Sequence, residues 1–135
     1  MDILLNPIDD NFINKSFAIS GSKSESNRLL ILQKLFPSIK IENLSESDDS
    51  VHMQHALSSK ETTINIGHAG TAMRFLTSYF AIQEGREVIL TGSERMQNRP
   101  IKILVDALQQ LGAKIFYLGK EGYPPLRIKG TKLTG

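Results

Sequence analysis

An α/β (α+β) fold of repeated β-α-β-α-β units, with helices packed on a mixed sheet, is what the sequence predicts. Three observations carry that prediction. Two glycine-led phrases, Ser20-Gly21-Ser22-Lys23-Ser24-Glu25-Ser26-Asn27-Arg28 and Gly67-His68-Ala69-Gly70-Thr71-Ala72-Met73-Arg74, each follow a strand-like run and open an apolar, helix-like run. Short β-branched runs alternate with stretches of helical periodicity. The order glycine, helix, strand, helix, strand occurs twice, with an offset of 49 positions from Gly21 to Gly70 and 48 from Ile41 to Ile89. Alternation of this kind produces layers of helix against sheet.

Taken in order, Ile3–Leu5 and Phe12–Ile19 alternate apolar and polar residues and are predicted strands. Gly21 breaks the run. Leu29, Leu32 and Phe36 then recur at helical spacing, widened by Leu30, Ile31 and Leu35, until Pro37 stops the helix. Ile39–Leu44 reads as a short strand. Ser47-Asp48-Asp49 is an N-cap signal ahead of a helix through Val51–Leu57. Thr62–Ile66 alternates β-branched residues and ends at Gly67, as a strand does. Gly70 opens a helix bearing Met73, Leu76 and Phe80, with Phe75, Tyr79 and Ile82 on its other flanks; apolar nearly all round, it is predicted to be buried. Gly85 ends it, and Glu87–Thr91 is a strand. Pro100 is placed at the first position of the next helix, which carries Ile101, Leu104, Val105, Leu108 and Leu111. Lys114–Leu118 and Leu126–Lys129 close the chain as strands around Gly122-Tyr123-Pro124-Pro125.

Composition narrows the function classes. The 135 residues suit one modest domain, with 40% apolar and 22% charged residues and a net charge of +2. That balance points to neither nucleic acid nor a membrane surface. The absence of cysteine excludes disulfides, thiol nucleophiles and cysteine metal sites. His52 and His55 stand three apart on a predicted helix, but no acidic partners stand beside them, so a solvated face is expected and no metal. No basic segment followed by an apolar one marks a signal peptide, and no run is long enough to span a bilayer, so a cytoplasmic protein is expected.

The glycine phrases carry the chemistry. A helix start has unpaired N–H groups and partial positive charge, which suit an anion. Ser24 and Arg28 are four apart and share a helix face, with Lys23 at the helix start; ammonium, guanidinium, hydroxyl and backbone N–H can then converge on phosphate or carboxylate. The spacing is not that of a P-loop. Thr71 and Arg74 repeat the arrangement beside Gly70, the alternative for Arg74 being an ion pair with Asp48 or Asp49. Arg95 and Arg99 add two cations before a helix, or a plain solvated loop. Asp48 and Asp49 are adjacent, so their side chains diverge, and capping is their expected work. No nucleophilic triad is visible. The residues bind; a complete acid/base apparatus is not among them.

In this order the phrases resemble the N-terminal third of the EPSP synthase family. The likeness runs through Gly21-Ser22-Lys23-Ser24 with Ser26-Asn27-Arg28, Ser47-Asp48-Asp49 and Gly70-Thr71-Ala72-Met73-Arg74. It continues in Leu90-Thr91-Gly92, Arg95-Met96, Arg99-Pro100-Ile101, Leu104-Val105-Asp106-Ala107-Leu108, Leu111-Gly112-Ala113 and Tyr123-Pro124-Pro125-Leu126. The related UDP-N-acetylglucosamine enolpyruvyl transferases lack the Gly-Thr-Ala-Met-Arg phrase.

The resemblance implies part of one domain of the two-domain enolpyruvyl transferase fold. Residues 1–19 would be strands belonging with the other domain. Residues 20–135 would be a partial substrate-binding domain with repeats at about 20–66 and 69–130. It implies transfer of the enolpyruvyl group of phosphoenolpyruvate to the 5-hydroxyl of shikimate 3-phosphate, in chorismate biosynthesis. By the family pattern Lys23 is catalytic and touches both substrates, and Ser24 and Arg28 hold shikimate 3-phosphate. Gly70, Thr71, Arg74 and Arg99 hold phosphoenolpyruvate or the inhibitor glyphosate, with His68 and Asp49 as further contacts. No cofactor, metal, nucleic acid or membrane is implied, and the family enzyme is expected to be monomeric. Two substitutions depart from the pattern: His68 stands where many members have Asn, and Phe75 where Pro is usual. The chain also ends before the family's Ser-Ser-Gln phrase, so a folded, inactive fragment is expected; a standalone anion-binding module of the same ancestry is the alternative.

Overall fold

The computed structural model describes residues 3–4 and 16–134. Among the described residues nine elements follow one another: α1 (Lys23–Leu35), α2 (Asp48–Ser58), β1 (Thr63–Asn65), α3 (Gly70–Ala81), β2 (Glu87–Thr91), α4 (Glu94–Gln97), α5 (Lys102–Gln110), β3 (Lys114–Tyr117) and β4 (Leu126–Lys129). The strands form one mixed sheet in the order β1-β2-β4-β3. β1 and β2 run parallel, which requires a crossover, and α3 is that crossover. β4 lies antiparallel between β2 and β3. The predicted fold class is the observed one.

Alternate residues of the sheet, Ile64, Val88, Leu90, Ile115, Leu126 and Ile128, are buried. α3 packs on β2 and β4, and α1 and α2 pack on α3. This helix therefore lies between sheet and helical pair, and buries Ala72, Met73, Leu76, Thr77, Tyr79 and Phe80 on its several sides. Its all-round apolarity is thereby explained. Among the described residues no helix is long and apolar enough to cross a membrane.

Four expectations are corrected. Ile39–Leu44 is not a strand. Asn43 takes a left-handed conformation (φ 52°) that turns the chain, and α1 claims groups a ladder would use. Gln33 Nε2 donates to the Ile39 carbonyl (2.9 Å), and the Ser45 N–H donates to Ser26 Oγ (2.9 Å). The first repeat is thus α1, α2 and β1 without an inner strand. At the N-terminus, Leu5 and residues 12–15 lie outside the described residues. Ile3, Leu4 and residues 16–19 are in no strand, and Phe17 and Ile19 are exposed. Alternation makes a strand only where a sheet edge accepts it, and no described strand pairs there. Third, Pro100 precedes α5 rather than opening it. Ile101 is the N-cap, and its N–H donates to the Gly122 carbonyl (2.8 Å). Fourth, the stretch holding Arg95 is the short helix α4, capped by Ser93 Oγ, which accepts from the Met96 N–H (3.3 Å).

Two measurements check the packing. Gly130 follows β4 where the chain returns against the end of α3, its N–H donating to the Arg86 carbonyl (2.7 Å). A Cβ there would overlap the Gln83 carbonyl, a backbone group with little room to yield. Gly130→Ala is expected to destabilise by about 1–3 kcal/mol, read as a lower urea midpoint at unchanged m-value. On the β2–β4 ladder the Glu87 carboxylate accepts from Arg127 Nε and lies 3.6 Å from Lys129 Nζ. The Arg127 hydrogen bond holds the Glu87 carboxyl below its ordinary 4.5. A depressed folded-state value means stabilisation present above 4.5 and lost as pH falls through the folded value. Glu87→Gln should therefore flatten the acid limb of stability measured by thermal unfolding between neutral pH and pH about 3.

Candidate functional site

The first turns of three helices, with α4 and the corner after it, meet around a cavity of about 660 Å³. At the start of α1, Ser22 caps the helix, its Oγ accepting from the Glu25 N–H (3.4 Å). Lys23 is the first helical residue. Ser24 and Arg28 share the face above it, and Arg28 Nη1 donates to the Ser24 carbonyl (2.8 Å) and hydroxyl. The same guanidinium lies 5.7 Å from the centroid of the Phe75 ring on α3.

α2 contributes Asp49, whose carboxylate is 3.6 Å from Lys23 Nζ. Capping, the work expected of the aspartates, is therefore not what Asp49 does. Nor does Ser47 Oγ cap the helix; it bonds to Ser45 and Ser50 hydroxyls instead. That chain of hydroxyls ends on buried Asn27, where Ser50 Oγ donates to Oδ1 (3.1 Å). The start of α1 is so tied to the start of α2, which sets Lys23 beside Asp49.

α3 presents Gly70 and Thr71, and its first N–H groups have no acceptor inside the helix. No side chain caps them. The Arg99 guanidinium lies against Gly70 at the place a Cβ would occupy. Arg74 has neither Asp48 nor Asp49 as partner; it donates to the carbonyls of Gly70 (3.3 Å) and Pro100 (3.2 Å). It thereby joins the start of α3 to the Arg99–Pro100 corner. Gly67, at φ +58°, lets the loop turn over the His52 ring, and its carbonyl accepts from the Ser93 N–H (2.8 Å). This brings exposed His68 to the rim and α4, with Arg95, to the wall.

Lys23, Ser24, Arg28, Asp49, His68, Gly70, Thr71, Arg74, Arg95 and Arg99, all singled out in the sequence, line this cavity, and Asp48 does not. Phe75 completes the lining. Arg95 is on α4 and Arg99 lies beyond its C-cap Asn98, so the two reach the cavity from different segments. Five cationic side chains thus face one carboxylate, in a space of ligand size. Among the described residues no group of three or more His, Asp or Glu could hold a metal. His52 packs under Gly67 and His55 is exposed.

Fold and cavity together define an α/β domain in which helix starts and guanidinium groups converge on one cavity, an arrangement that suits an anion. A model of the EPSP synthase (3-phosphoshikimate 1-carboxyvinyltransferase) family matches residues 57–135. The 3-phosphoshikimate 1-carboxyvinyltransferase of Bacteroides fragilis is 50% identical over 124 residues, covering 91% of this chain and 30% of its own. That of Colwellia psychrerythraea is 43% identical, covering 98% and 37%. A solved EPSP synthase from Acinetobacter baumannii has the same fold, with a TM-score of 0.72 at 23% identity over 88% of this chain and 33% of that one. The chain belongs to the EPSP synthase family. It spans about a third of the length of these curated relatives, 30% and 37%.

Gly70→Ala separates grip from fold. Gly70 opens α3 without a left-handed backbone, so alanine there is expected to stabilise by about 0.4–1 kcal/mol through the unfolded chain, and the atom it meets is the movable end of Arg99. The melting temperature should hold or rise, while Arg99 leaves its seat and the affinity for inorganic phosphate falls, both followed by NMR.

Proposed function

We propose that this chain supplies the substrate grip of an enzyme that transfers the enolpyruvyl group of phosphoenolpyruvate to the 5-hydroxyl of shikimate 3-phosphate, releasing phosphate. The convergence of five cations on one cavity supports this reading most directly. Both substrates are polyanions, and the hydroxyl must approach the enol carbon of a second anion. Cations placed in advance offset that repulsion and stabilise the charge of the departing phosphate.

In this reading Lys23 lies between the two substrates and is the catalytic residue. Its ammonium is already positioned by Asp49, which yields it as ligand enters. Ser24 and Arg28 hold shikimate 3-phosphate. Gly70, Thr71, Arg74 and Arg99 hold phosphoenolpyruvate, and glyphosate in its place, with His68 at the rim. No cofactor takes part. Residues 20–135 act as part of the substrate-binding domain of a cytoplasmic, monomeric enzyme, and residues 1–19 belong with its other domain.

Titration with shikimate 3-phosphate, followed by backbone amide shifts, tests the reading. Binding on the order of millimolar, about 4 kcal/mol, is expected, with shifts at Ser22–Ser26 and His68–Arg74 and an affinity that falls with salt. Lys23→Met should weaken binding about tenfold, the loss of a charged hydrogen bond being about 1.5–3 kcal/mol. No shift up to tens of millimolar ligand at low salt, where the screening length is about 30 Å at 0.01 M, would refute the site.

A further inference from the structure

Phe75 lies in the second turn of α3, half-buried, on the wall that faces α1. A side chain of that kind contributes no hydrogen bond to an anion. Its place is explained instead by Arg28, whose guanidinium carbon is 5.7 Å from the ring centroid, within the range of a cation–π contact. Arg28 is exposed and belongs to a different helix, and within α1 Ser24 holds the far end of its side chain at Nη1 alone. Two contacts together hold the guanidinium. Ser24 accepts from Nη1, and the guanidinium carbon lies over the Phe75 ring. Both leave the remaining N–H groups of the fork for a ligand.

We propose that Phe75 is a positioning residue for anion binding: its ring holds the Arg28 guanidinium, on the opposite wall, in the orientation in which it meets the ligand. This deepens the reading above and rests on it. An arginine already ordered loses less freedom on binding, so the ring raises affinity without touching the anion. The contact also couples α3 to α1 across the cavity, so that the two helix starts keep their spacing. Of the residues lining the cavity Phe75 is the one whose ring is found over this cation.

Inorganic phosphate is the probe, with Phe75→Leu removing the π face and Phe75→Tyr retaining it. In the free protein, the side-chain NMR signals of Arg28 should carry a ring-current shift that Phe75→Leu abolishes and Phe75→Tyr preserves. Phosphate should then bind about threefold more weakly to Phe75→Leu and about as tightly as wild type to Phe75→Tyr, a loss of roughly the size of one exposed cation–π contact. A backbone amide spectrum unchanged outside the cavity shows that the leucine variant remains folded; should it unfold, the tyrosine variant and the wild-type ring-current shift decide alone. Arg28 signals indifferent to the ring, or phosphate affinity equal in the leucine variant, would overturn the proposal while leaving the anion site standing. Absence of phosphate binding in the wild type, with the ring-current shift intact, would overturn the anion-site reading and the affinity role of Phe75 with it.

Discussion

Burial of α3 on several sides is the constraint from which the remaining geometry follows. The helix runs between the sheet and the α1–α2 pair, with Met73, Leu76 and Phe80 almost wholly removed from water. Burying side chains of this size contributes about 1.5–3 kcal/mol each. So positioned, α3 cannot slide or rotate without opening the core on two faces. Its N-terminal end is fixed as a result, and that end is the floor of the cavity. Arg74 and the Arg99 guanidinium are then placed relative to Gly70 by short contacts with backbone that is itself fixed. Binding groups of this kind gain from rigidity, because the freedom of the long cationic side chains is restricted before a ligand arrives.

The sequence made this helix legible because its apolar residues recur on every side of a 3.6-residue period. The glycine phrases were legible for a different reason. Serine, threonine and glycine before a helix leave few structural options, so Gly21 and Gly70 marked helix starts from local chemistry alone. Ile39–Leu44 has the composition of a strand yet lies against Gln33 and Ser26 of α1. Which partner a short extended segment takes is decided by tertiary contacts that composition does not encode. α4 escaped notice since four residues are too few to establish a period. The work of Asp49 was equally hidden. Ser47-Asp48-Asp49 has the form of a cap, and it is the packing of α1 on α2, with the bond between Asn27 and Ser50 twenty-three positions apart, that brings the carboxylate to Lys23. The gathering of Lys23, Arg74 and Arg99 could be expected as a class of chemistry; their distances from one another depend on the packing of α1, α2 and α3.

The ion pair between Lys23 and Asp49 has a wider meaning for a cavity so rich in positive charge. Asp49 is a built-in counter-ion, only 14% exposed at its side chain, that neutralises one of five cations while the cavity contains solvent alone. The other four are guanidinium groups lining the same space of about 660 Å³, so the cavity keeps an excess of positive charge. An anion offsets that excess whether or not it is a substrate. Any anion that binds the folded domain and not the unfolded chain therefore stabilises the domain by mass action, so that ligand concentration becomes one of the quantities that set its melting temperature.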